Sequence, residues 1–110
     1  MDRVLAVASQ RPVVIFALSS CCMCHAVKTL FEQIGTIPEV YEIDRDPCRR
    51  EIEMALVKLL NRHPAVPLVF IGGKLIGATD TILTLHLSGR LVDLLNDSGA
   101  LLPLNRSINN

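Results

Sequence analysis

Three of the four cysteines lie together where an apolar run gives way to a helical pattern. This segment reads Ser19-Ser20-Cys21-Cys22-Met23-Cys24, and the fourth cysteine is Cys48. Cysteines this close in sequence cannot act as a set of staples that close separate loops. In a reducing compartment such cysteines are metal ligands or reactive thiols. The cluster therefore predicts thiol chemistry or metal binding.

The position of Cys21 favours thiol chemistry. It directly precedes a predicted helix, where unpaired N–H groups and the helix dipole stabilise a thiolate and lower a cysteine pKa from about 8.5. We therefore expect Cys21 to be the catalytic nucleophile. Cys24 lies one turn later on the same helix face, close enough to attack a mixed disulfide on Cys21. It is the predicted resolving thiol.

Two other interpretations of the cluster are weaker. Free cysteine can pack as a small hydrophobe, but three cysteines within four residues after two serines are a poor fit to packing alone. Zinc requires tetrahedral ligands, and Cys21, Cys22, Cys24 and His25 are too close in sequence to surround one ion. We expect no metal site.

Other reactive groups have no visible partner in the sequence. Cys48 is expected to be a bystander that can be oxidised, and the three histidines are expected to be surface or core residues. Lys28 is expected on a solvated helix face. Gly72 and Gly73 are expected to form a turn, since they join two strands and do not open a helix.

Hydrophobic periodicity predicts the elements that position the cysteines. The β-branched run 13–18 predicts a buried strand. Apolar positions spaced by three and four over 22–34 predict an amphipathic helix that ends at Gly35, with Ser19 or Ser20 near its N-cap. Asp46 before Pro47 predicts a second helix that runs to about Asn61.

The remaining elements complete a recognisable order. A strand over 39–44, a hairpin of 66–71 and 74–76, a helix capped by Asp80 and a last helix near 90–96 are predicted. The order is strand, helix, strand, helix, hairpin, helix, helix. With a right-handed βαβ crossover, it predicts a thioredoxin-like α/β fold whose central four-stranded mixed sheet is flanked by helices.

Composition limits the classes of function. The chain has 110 residues, half of them hydrophobic, and zero formal net charge, which suits one globular domain and argues against direct nucleic-acid binding. With no Trp, one Tyr and three Phe, a base-stacking platform is not expected. The sequence has no apolar run of about 18 residues. We therefore expect an intracellular protein that does not enter membranes.

Three blocks carry a family resemblance: SSCCMCHAVK at 19–28, AVPLVFIGGKLIGATD at 65–80 and LHLSGRLVDLLNDSGAL at 85–101. In this order they resemble the plant CC-type (class III) glutaredoxins over about residues 3–102. The resemblance implies a glutaredoxin domain over 1–104 with a frayed tail at 105–110. It also implies a glutathione-dependent thiol-disulfide oxidoreductase that acts on glutathione mixed disulfides through the Cys21 thiolate, with Cys24 as the second catalytic thiol. Its expected partners are glutathione and protein thiols or disulfides.

The resemblance also implies a glutathione site. Val66, before a cis Pro67, offers its backbone to an extended peptide beside the nucleophile. The N–H groups of Thr79 and Asp80 bind the γ-glutamyl carboxylate at a helix start, and Asp80 accepts a bond from the ammonium group. Some glutaredoxins share a [2Fe–2S] cluster between protomers, a cofactor that we do not favour here.

Departures from the family pattern support an alternative function. Leu18 replaces a lysine that many dithiol members carry, and Cys22 and Met23 replace proline and tyrosine. The alternative is a catalytically weak adaptor that binds TGA-type bZIP transcription factors, in the cytoplasm and nucleus. Its LxxLL pattern consists of Leu91, Leu94 and Leu95, which we interpret as core residues. The 100–104 segment lacks the tryptophan of the family's ALWL ending.

Overall fold

A four-stranded mixed sheet lies between two layers of helices. The computed structural model describes residues 2–61 and 66–100, and within them no helix is long and apolar enough to cross a bilayer. The elements are α1 (Asp2–Ala8), β1 (Val13–Ala17), α2 (Cys22–Ile34), β2 (Glu39–Glu42), a 3-10 turn (Ile43–Arg45), α3 (Arg49–Leu60), β3 (Leu68–Ile71), β4 (Lys74–Gly77), α4 (Thr79–Leu87) and α5 (Arg90–Asp97).

The strand order is β2-β1-β3-β4. Strand β1 pairs in parallel with β2 and antiparallel with β3, and β3 and β4 form the predicted hairpin. Its turn places Gly72 and Gly73 at φ angles of 62° and 80°, a region in which side chains other than glycine are disfavoured. The predicted thioredoxin-like fold is confirmed.

Every residue of β1 is buried because helices cover both faces of the sheet. Val14 and Phe16 face a cluster with residues of α1 and α3, including Val4 and Leu56. Side chains alternate along a strand, so the alternate positions face a second cluster. It joins Val13, Ile15, Val27, Phe31, Ile82, Leu91 and Leu95 from β1, α2, α4 and α5. Burial of Leu91 and Leu95 confirms the core interpretation of the LxxLL pattern at these two positions, whereas Leu94 is only half-buried.

The first helix was not predicted from the sequence. Helix α1 buries Val4 and Ala8 against the sheet, and Arg3 donates a hydrogen bond of 2.8 Å to Asp46. The Val4, Val7 and Ala8 spacing is the helical signal in so short a segment. Tertiary contacts, more than local propensity, stabilise a helix of this length.

Asp46 does not begin the second predicted helix. Helix α3 begins at Arg49, and the Asp46 carboxylate accepts hydrogen bonds from the Tyr41 hydroxyl and from the Cys48 N–H, the latter at 2.7 Å. These bonds, the Tyr41 bond foremost, lower the pKa of Asp46 to about 2, with help from Arg3. Asp46 therefore joins α1, β2 and the start of α3.

The N-cap of α2 is Cys21, directly after Ser20, which agrees with the expected position of the helix start. The predicted cap of α4 is wrong: the N-cap is Ala78, so Asp80 lies inside the first turn. The predicted ends of α2 at Gly35 and of α3 at Asn61 are confirmed by left-handed capping residues. The predicted frayed tail at 105–110 lies outside the described residues.

Candidate active site

The sheet register brings three predicted site segments to one edge. Phe16 pairs with Leu68 in antiparallel strands, so the chain that leaves β1 toward Cys21 runs beside Val66 and Pro67. Val69 pairs with Gly77, so the loop that leads into α4 emerges at the same edge. The Val66–Pro67 peptide bond is cis, as expected. Half-buried Val66 packs with Leu18 against the α3 side of the core.

Cys21 caps α2 with its own sulfur. Its backbone is extended (φ −88°, ψ 115°), and its Sγ accepts a hydrogen bond from the Cys24 N–H at 3.2 Å. Its own N–H donates to the Leu18 carbonyl at 3.1 Å. A sulfur in this position receives a helix N-terminal N–H, which stabilises negative charge on it. The Cys21 side chain is half-buried and therefore still accessible to a substrate from solvent.

Cys24 is held in the protonated state. Its side chain is only 3% exposed, and burial, followed by the hydrogen bond with Cys21, raises the pKa of its thiol to about 12. A hydrogen bond from the Leu18 backbone opposes this shift only in part. The two neighbouring thiols therefore differ in their surroundings: the Cys21 sulfur accepts a helix N-terminal N–H, whereas the Cys24 thiol is buried and keeps its proton.

The other two cysteines lie apart from this pair. Cys22 is exposed on the first turn of α2, beside Met23, which is 52% exposed. Cys48 is half-buried at the N-cap of α3 and packs against the core. All four cysteines are free thiols. This placement agrees with minor roles for Cys22 and Cys48.

A pair of hydrogen bonds connects the loop before Cys21 to the 3-10 turn that follows β2. Ser19 donates its N–H to Asp44 at 3.0 Å and its hydroxyl to the other carboxylate oxygen. The Ser19 hydroxyl is the main cause of a lowered Asp44 pKa. Sequence reasoning missed this contact because the two residues are 25 positions apart and meet only through the β1–β2 pairing.

A cleft of about 280 Å³ opens beside Cys21, between α2 and β2. Cys24 and Leu18 line it, and so do three charged or titratable residues that we had not assigned to the site, namely His25, Lys28 and Glu42. Lys28 was expected on a solvated face. It is half-exposed but borders the cleft, and the available signal was its position four residues after Cys24 on one helix face.

The loop into α4 forms a separate part of the edge. Gly77 has a φ of 147°, and a Cβ there would lie 2.7 Å from the Thr81 Cβ, so the close approach requires glycine. Thr79 and exposed Asp80 occupy the first turn of α4. Asp80 borders a shallow depression with Thr84. Neither Thr79 nor Asp80 lines the cleft beside Cys21.

The residues do not provide a complete metal site. Among residues 2–61 and 66–100, no group of three or more His, Cys, Asp or Glu side chains can hold an ion. An iron–sulfur cluster takes four ligands, usually thiolates, whereas this site presents Cys21 with a buried, protonated Cys24 beside it. One chain therefore does not hold a cluster by itself, and a cluster shared between protomers stays an expectation that we do not favour.

A thioredoxin-like fold with a helix-capping cysteine, a second thiol one turn later and a cis-proline at the same edge defines a thiol oxidoreductase. The glutaredoxin family model matches residues 13–76. Glutaredoxin-C1 of rice (Oryza sativa subsp. japonica) is 59% identical over 101 residues, which cover 92% of this chain and 98% of that protein. The chain belongs to the glutaredoxin family.

Solved glutaredoxin structures support this family assignment. The crystal structure of a buckwheat glutaredoxin–glutathione complex superposes with a TM-score of 0.86 at 34% identity, covering 92% of this chain and 91% of that one. The holo form of glutaredoxin C1 from Populus tremula x tremuloides has a TM-score of 0.82 at 37% identity, covering 88% of this chain and 95% of that one.

Proposed function

We propose that the protein is a glutathione-dependent oxidoreductase that removes glutathione from mixed disulfides. The Cys21 thiolate attacks the glutathione sulfur, a Cys21–glutathione disulfide forms, and the substrate thiolate leaves with the bonding electron pair and takes up a proton. A glutathione thiolate then attacks this disulfide, which releases glutathione disulfide and regenerates the Cys21 thiolate. The observation that carries the proposal is the Cys24 N–H directed at the Cys21 sulfur.

Glutathione binding is proposed for the β3–β4 side of Cys21. The backbone of Val66, next to cis Pro67, would pair with the extended glutathione chain. The N–H groups of Thr79 and Asp80, in the first turn of α4, would bind the γ-glutamyl carboxylate, and the Asp80 carboxylate would accept from the ammonium group. The glutathione complex of the buckwheat protein supports this proposal through the shared fold.

Cys24 is proposed to act on protein disulfides. When Cys21 is bonded to a protein, Cys24 can attack the Cys21 sulfur, form a Cys21–Cys24 disulfide and release the protein thiolate. Its high pKa keeps the Cys24 thiol protonated in the reduced protein, so it must lose its proton before it can attack. Because glutathione supplies its own thiol in the mixed-disulfide reaction, Cys24 is not required there.

Serine variants of the three clustered cysteines test these roles. Cys21→Ser should abolish reduction of a glutathionylated peptide and of a protein disulfide. Cys24→Ser should retain most activity on the glutathionylated peptide and lose activity on the protein disulfide. Cys22→Ser is the matched control, because Cys22 is exposed and adjacent in sequence, and it should resemble the unaltered protein. Both activities are measured as initial rates at saturating glutathione.

Two results would contradict the assignment. Activity that survives in Cys21→Ser would show that another thiol is the nucleophile. Equal loss in Cys22→Ser and Cys21→Ser would show that the helix-capping position does not determine reactivity. A Cys21–glutathione adduct, identified by mass spectrometry in Cys24→Ser, would support the assignment directly.

The adaptor function and the cytoplasmic and nuclear location stay predictions. Leu91 and Leu95 are fully buried, so binding of a TGA-type factor through the LxxLL pattern would require these core residues to leave the interior. Residues 101–104, in the segment that lacks the tryptophan of the family's ALWL ending, lie outside the described residues. We therefore favour the enzyme.

A further inference from the structure

The cleft beside Cys21 lies on the opposite side of the nucleophile from the proposed glutathione site. Val40 and Glu42 of β2 pair with Ile15 and Ala17 of β1, and Val40, Glu42 and Ala17 line the cleft together with α2. The cis-proline segment and the α4 loop lie beyond β1, toward β3 and β4. Cys21 therefore lies between two surfaces, the proposed glutathione site on the β3–β4 side and the cleft on the β2 side.

The geometry of disulfide exchange gives the second surface a use. The attacking sulfur, the sulfur under attack and the leaving sulfur align, so the substrate sulfur lies on the far side of the glutathione sulfur from Cys21. The glutathione sulfur must itself lie over Cys21, while the rest of the proposed glutathione chain runs over the β3–β4 side, so the opposite side stays open to the chain that carries the substrate sulfur. That side holds the cleft.

The charges around the cleft favour an acidic ligand. Glu42 already forms an ion pair with Arg45, with 3.0 Å between the Arg45 Nε and a Glu42 carboxylate oxygen. Lys28 has its Nζ 3.9 Å from a Glu32 oxygen, and both side chains are well exposed at 40% and 51%. An exposed pair at that distance is weak. His25 is the other titratable group of the lining besides the two thiols. Lys28 is thus the charge most available to a ligand.

We propose that this cleft binds the protein half of the mixed disulfide and that Lys28 selects glutathionylated cysteines that have a nearby carboxylate. This inference rests on the proposed function and names the substrate class of the same site. Lys28 is seven residues after Cys21, about 10 Å along the helix axis. An extended peptide covers that distance in about three residues, so the carboxylate lies two or three residues from the substrate cysteine.

Two glutathionylated heptapeptides test the inference. They differ only in an Asp or a Lys placed two residues from the single Cys, and kcat/KM is measured for each with the full chain. The readout is the ratio of acidic-peptide to basic-peptide kcat/KM, and the different intrinsic reactivities of the two disulfides cancel when this ratio is compared between protein variants. The unaltered protein should prefer the acidic peptide, and Lys28→Glu should lower the ratio at least about fivefold at low salt.

Matched controls distinguish the effect of a charge at the cleft from the effect of the protein's net charge on the kcat/KM ratio. Lys58→Glu makes the same substitution at an exposed position of α3 outside the cleft, and it should leave the ratio unchanged. Added salt should shrink the preference of the unaltered protein. An equal ratio in the unaltered protein, Lys28→Glu and Lys58→Glu would overturn the inference while leaving the proposed function intact. If neither peptide transfers glutathione to Cys21, the proposed function fails and the inference falls with it.

Discussion

The Cys24 thiol should react with alkylating agents far more slowly than an ordinary cysteine. Only the thiolate reacts. At pH 8 a thiol with a pKa of about 12 is ionised to about one part in 10⁴, whereas one with the ordinary value near 8.5 is ionised to about one quarter. The deficit in thiolate is therefore about 10³-fold. The 3% exposure of Cys24 slows its alkylation further.

The pH dependence gives the sharper measurement. Because the pKa of Cys24 is raised, its thiolate fraction should rise about tenfold per pH unit from pH 7 to 10.5 without a plateau. Iodoacetamide labelling, quenched at set times and quantified for each cysteine by mass spectrometry, gives that profile. Free glutathione in the same tube is the reference thiol, and its rate should level off above its own pKa.

The Cys21→Ser variant separates the causes of the shift. It removes the hydrogen bond with the Cys21 sulfur and the charge on it, both of which raise the pKa of Cys24, but leaves burial in place. Labelling of Cys24 should accelerate in this variant, yet stay slower than that of glutathione. A Cys24 profile that levels off below about pH 10 in the unaltered protein would refute the reasoning that burial keeps this thiol protonated.

Three further predictions concern parts of the fold that support the site. Asp80→Ala should weaken glutathione binding about tenfold in titration calorimetry by removing one charge-assisted hydrogen bond, and unchanged affinity would exclude the proposed role. Gly77→Ala should lower the unfolding free energy in urea by about 2 kcal/mol or more, because its Cβ would meet Thr81 at 2.7 Å; the loss should exceed that in Gly89→Ala, which meets nothing within 4 Å. Asp46→Asn should lower Tm at pH 7, and the difference in Tm from the unaltered protein should shrink toward pH 2. The pKa of the Asp46 carboxyl is depressed to about 2 in the folded protein. The carboxylate therefore stabilises the fold above its ordinary pKa near 3.9, and this contribution is lost as pH falls toward 2. A pH-independent difference would contradict that last account.

Local signals were sufficient for much of the site. The start of α2 next to Cys21 follows from an apolar period that begins directly after it, and the burial of Cys24 follows from its position one turn later on the apolar face. The left-handed glycines of the β3–β4 turn follow from the Gly72-Gly73 pair. The cis bond before Pro67 was expected from the family resemblance, not from periodicity.

Capping residues show where local reasoning fails. Ser19 lies near the start of α2 as expected, but its hydroxyl and N–H donate to Asp44, and the helix N-cap is Cys21, whose sulfur accepts the Cys24 N–H. Asp46 and Pro47 read as a helix start, but the carboxylate is taken by Tyr41 and Arg3 as well as by the Cys48 N–H. Where a side chain has several possible partners, tertiary contacts determine which one it binds, and the local sequence does not reveal those contacts.

The sequence by itself determined the order of strands and helices from β1 onward, the thiol pair at the start of α2 and the core role of Leu91 and Leu95, because each depends on periodicity within one segment. Only the tertiary structure decided that Lys28 and Glu42 share a cleft with Cys21, and that α1 docks on the sheet. The side of Cys21 on which a charge lies depends on strand order and register. Those are set by packing between segments distant in the chain, which no single segment encodes.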